Sequence, residues 1–105
     1  MSWDVGRFTP LGHGGTTLGT AAAGTVTLPA GVHQDRVKIV CLNVAGAAVN
    51  FRDDGTAPTA TSAATAITAG YPVAASADWR YEGLVERLQF IPQSGTAHVR
   101  WALYG

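Results

Sequence analysis

The run Ala97-His98-Val99-Arg100-Trp101-Ala102-Leu103 decides the fold class. Ala97, Val99, Trp101 and Leu103 take every second position, with His98, Arg100 and Ala102 between them. A period of two is the signature of a strand with one face on a core and the other toward water. Ser94-Gly95 supplies the turn that leads into it.

Working outward, the same language recurs in short pieces. Leu84, Leu88 and Phe90 pattern the stretch to Ile91, with a short helix at Leu84–Arg87 as the alternative for its first turn. Trp79 and Tyr81 alternate with Arg80 and Glu82, and Gly83 ends that strand. Gly70-Tyr71-Pro72-Val73 opens another, held to a sheet edge or a strand start because proline donates nothing to a ladder. Ala47–Arg52 places Ala47, Val49 and Phe51 on one face, and Asp53-Asp54-Gly55 after it suits a tight turn. Arg36–Ala45 is the strongest segment: Val37, Ile39 and Cys41 face one way, Val40, Leu42 and Val44 the other. Both faces are therefore expected to be covered, as in a central strand. Gly24–Leu28 is the first strand of the body, closed by Pro29-Ala30-Gly31. Ala57–Ala69, rich in Ala and β-branched Thr, fits neither template and is expected as a loop or irregular edge.

About seven strands in about 80 residues, with no crossover helices, predict an all-β fold. The expected body is a compact antiparallel β-sandwich or jelly-roll-like barrel spanning residues 24–105. Residues 1–23 differ. Glycines at 6, 12, 14, 15 and 19 alternate with Trp3, Phe8, Leu11 and Leu18 without sustained periodicity. This segment is read as an extended N-terminal arm whose Trp3, Phe8 and Leu11 are protein-interface candidates; the alternative is an ordinary first strand and loop of the body.

Composition narrows the function classes. Seven basic residues balance seven acidic ones, and only 13% of residues are charged, against about 25% in an average soluble domain. That balance lacks the basic footprint of a nucleic-acid binder. No apolar run approaches the roughly 20 residues of a membrane span, and Asp4 and Arg7 stand where a signal peptide would be apolar. A chain of 105 residues buries only about 65% of its unfolded surface, and the single Cys41 cannot form an internal disulfide. Association with other chains is the remaining source of stability, and a neutral surface favours it. A homo-oligomer is expected.

A search for catalytic chemistry returns structural readings. Asp53 and Asp54 are explained by the turn, with a cation site as the weaker alternative. His13, His33 and His98 sit in no ligand repeat or triad spacing, and Cys41 lies inside an apolar strand. Gly12-His13-Gly14-Gly15 lacks the lysine and helix of a phosphate loop. Arg52, Arg80, Arg87 and Arg100 have acidic neighbours, so local ion pairing is expected rather than a basic stripe. Trp79, Tyr81 and Trp101 are read as core or interface rings, with a sugar-stacking platform as the alternative. No catalytic residue, cofactor or metal is expected.

The run Val49-Asn50-Phe51-Arg52-Asp53-Asp54-Gly55-Thr56-Ala57-Pro58-Thr59-Ala60 resembles a stretch of small structural proteins of tailed bacteriophages. The likeness continues at Gly70–Ala75, Trp79–Gly83 and Leu88–Ile91, and again from Ser94 to Ala97. It implies a virion component, assembled in the host cytoplasm, that binds the major capsid protein as a cement or decoration protein. A tail, fibre or baseplate module that binds host glycans is the alternative.

Overall fold

The computed structural model describes residues 8–62 and 69–105, and backbone pairing divides these described residues into eight strands in two sheets. The strands are β1 (Pro10–Leu18), β2 (Gly24–Thr25), β3 (Ile39–Ala45), β4 (Val49–Arg52), β5 (Tyr71–Val73), β6 (Asp78–Tyr81), β7 (Gln89–Pro92) and β8 (Ala97–Tyr104). One sheet has the order β1-β8-β3-β6 and the other β2-β7-β4-β5, and every pairing is antiparallel. The two sheets pack face to face as a β-sandwich.

The inner faces follow from the period of two. Ala97, Val99, Trp101 and Leu103 of β8 and Val40, Leu42 and Val44 of β3 meet Val49, Val73 and Phe90 from the other sheet. Burial of these side chains is the main favourable term, at about 1.5–3 kcal/mol for each large residue. As its pattern predicts, β3 is covered on both faces: Ile39 and Cys41, which alternate with the core residues, are also buried. Single turns of 3-10 helix, at Gln34–Arg36 and Val85–Arg87, precede β3 and β7.

The amino-terminal boundary differs from the sequence reading, which ends the arm at residue 23. Pro10–Leu18 is a strand of the body, paired with β8 from Pro10–Tyr104 to Leu18–Ala97, with a bulge between Pro10 and Gly12. Periodicity hides this strand because glycines replace its inward side chains. A Cβ on Gly12 would lie 2.6 Å from Pro29 Cγ, and one on Gly14 would lie 3.0 Å from Trp101 Nε1. The residues that would reveal the alternation are those the packing cannot accommodate.

Candidate functional site

Residues on the two faces of β4 build the most developed surface feature. Asn50 and Arg52 point away from the sandwich interior, while Val49 and Phe51 point into it. Asn50 is nevertheless only 3% exposed, because the chain after β4 folds back over it. Its Nδ2 donates to the carbonyls of Thr59 (3.0 Å) and Thr61 (2.8 Å), and its Oδ1 accepts from Gln93 Nε2 at 3.0 Å. One buried amide thus anchors a loop that contributes no strand among its described residues. Thr59 N–H closes the same loop on the carbonyl of Ala69.

Beyond β4, Arg52 grips Asp54 with two nitrogens, Nε to Oδ1 at 3.1 Å and a terminal nitrogen to Oδ2 at 2.5 Å. This guanidinium, helped by the Thr56 N–H, pulls the Asp54 carboxyl down to about 2. Asp53 turns the other way and accepts from the Tyr81 hydroxyl at 2.9 Å. Burial first, and then that carboxylate, push the Tyr81 phenol above its ordinary value. The adjacent acids are thereby committed to different partners. Among the described residues no three His, Cys, Asp or Glu side chains converge on a point that would hold a metal ion.

Aromatic rings fill the seam between β4, β5 and β6. Phe51 lies 4.1 Å from Trp79 and 5.5 Å from Tyr71 between ring centroids, and Trp79 lies 6.1 Å from Tyr81. Tyr71 ends this row at the surface, 68% exposed. A cavity of about 760 Å³ opens beside it, lined among others by Asn50, Phe51, Asp53, Asp54, Tyr71 and Gln93. The surface offers ring faces, amides and carboxylates, a set suited to recognition.

The sequence-selected residues are dispersed. Trp3 lies outside the described residues, Phe8 is half-buried, and Leu11 packs against the chain's own core. Of the suggested ring platform, Trp101 is 4% and Tyr81 7% exposed, so both are core residues, and Trp79 is half-buried between neighbours. Among the described residues the exposed ring is Tyr71, which was not selected from the sequence although Pro72 beside it already marked an edge. His98 Nδ1 lies 2.9 Å from Thr17 Oγ1, across a paired position of β8 and β1. Arg100 donates to Asn43 Oδ1 (2.8 Å), and Asn43 Nδ2 to Asp78 (2.9 Å), which ties β8, β3 and β6 together on their outer face. Arg80 pairs with Glu82 at 3.6 Å. Cys41 is 1% exposed, and burial pushes its thiol up. No family model, curated protein or solved structure matches the chain.

Proposed function

We propose that this chain is a non-enzymatic structural protein of a tailed-bacteriophage virion, which binds the major capsid protein as a cement or decoration protein and stabilises the head shell. One observation carries the reading. Part of the phage-like run and of its continuation gathers at one surface: Asn50–Asp54 and Gly70–Pro72 line a single cavity with Tyr81. The likeness takes in core positions such as Val49, Leu88 and Phe90, which speak of packing; its share on the Asp53-Asp54-Gly55 turn and the exposed Tyr71 supports a shared contact. Covering Tyr71 and the 59%-exposed Leu84 would gain about 25 cal/mol per Å² of apolar surface. Repetition over a symmetric shell multiplies each small gain, and a ligand that binds only the assembled shell stabilises it by mass action.

The test is occupancy on purified particles, followed by their resistance to heat. Deletion of residues 1–8 spares β1 and so separates the arm from the body; Tyr71→Ser with Leu84→Ser probes the surface. Loss of occupancy in either supports the reading at that site. Absence of the wild-type chain from purified particles overturns it. Tyr71 also favours the second reading, a tail, fibre or baseplate module for host glycans, since an exposed ring beside Asp53 and Gln93 is suited to stacking and hydrogen bonding with a sugar. Glycan binding abolished by Tyr71→Ala, with the chain found on tails and absent from heads, would select it.

A further inference from the structure

Among the described residues, β1 and β6 form the edges of one sheet and β2 and β5 those of the other. Unpaired edges invite pairing with another chain, and proteins blunt them with brevity, charge or proline. Three of these edges are blunted. β2 has two residues, β5 has three including Pro72, and β6 carries Asp78 and Arg80. β1 has nine residues and no Asp, Glu, Lys or Arg; its protections are Pro10 and the bulge at one end.

Its free backbone groups can be identified. Thr9 and Gly105 exchange both of their backbone bonds, and donors along β8 alternate in direction from there. Gly12, Gly14, Thr16 and Leu18 therefore bond to β8, whereas His13, Gly15 and Thr17 turn N–H and C=O outward from the sheet edge. These three residues are symmetric about Gly15. An antiparallel pair of β1 strands with its two-fold at Gly15 sets His13 against the partner's Thr17, and Gly15 against the partner's Gly15, using every outward group.

The same register is complementary on the inner face. Gly12 lies opposite the partner's Leu18, and Gly14 opposite the partner's Thr16, so the half of β1 that has side chains meets the half that lacks them.

We infer that β1 is a dimerisation edge, and that two copies of this chain join their β1 strands antiparallel about Gly15 into one continuous eight-stranded sheet. This goes beyond the virion reading and does not rest on it; the test uses the free protein, so the two fail separately.

Sedimentation from about 1 to about 100 μM should give twice the 10.9 kDa chain mass at the upper end. Over the same range, amide exchange at His13, Gly15 and Thr17 should slow in the wild-type protein. His13→Lys with Thr17→Lys sets like charges across the junction, as does His13→Glu with Thr17→Glu. Each variant alone should be monomeric, and mixing them should restore a dimer of unlike copies. A single-chain mass throughout overturns the inference, as does a dimer with unchanged exchange at those three amides or one that survives both charge variants.

Discussion

The two sheets of the sandwich are held by different means. In β1-β8-β3-β6, strands of nine, eight and seven residues precede a shorter β6, and long backbone ladders add to the buried inner face. The strands of β2-β7-β4-β5 have two to four residues, lengths that are marginal without further support. There the support comes from Phe90 on the inside and Asn50 on the outside. Around Asn43 and Arg100 the long sheet leaves its outer face to exposed polar pairs, whereas the short one has a buried amide and a loop folded back on it.

The largest test concerns the shared interior. Phe90 is fully buried and its ring centroid lies 6.4 Å from that of Trp101 across the sandwich. Phe90→Ala should cost about 3–5 kcal/mol in urea unfolding, and Leu42→Ala in the long sheet about 2–5 kcal/mol. A much smaller loss at Phe90 would make the short sheet an appendage and break the comparison.

The outer faces give a sharper contrast. Asn50→Ala strands two carbonyls and the Gln93 amide, and should cost about 2–3 kcal/mol. It should also expose residues 53–62 to limited proteolysis. Asn43→Ala on the long sheet removes bonds on a solvated face and should cost below about 1 kcal/mol. Equal losses would show that both faces are held alike. Tyr81→Phe, which removes the bond to Asp53 where the sheets meet, should cost about 1 kcal/mol by the same measurement.

The smallest effect is acid-dependent. The Asp54 carboxyl is held at about 2, below its ordinary 3.8. The unfolded chain therefore takes up its proton first as pH falls, so this contribution is complete above pH 3.8 and disappears through about pH 2. Asp54→Asn should flatten that part of the acid unfolding profile, and an unchanged profile would detach the Arg52–Asp54 grip from folding.

The long sheet was largely legible because β3 and β8 announce themselves through uninterrupted apolar alternation. Its edge was not, since Gly12 and Gly14 remove the inward side chains where Pro29 and Trp101 need space. Asn50 was read only as an outward position of its strand, because a polar residue there looks solvated until the loop over it is known. Tyr71 was legible as an edge residue but not as an exposed ring, since its exposure depends on how it sits against Phe51 on the neighbouring strand.

Cys41 has one more consequence. Its thiol is sealed on the outer side of β3, alongside Arg80 and Ala102. Since it is the sole sulfhydryl, copies crowded together in air gain no covalent link through it while they stay folded. A maleimide reaching that sulfur would keep time for the opening of the sheet, one label for each molecule that has come apart.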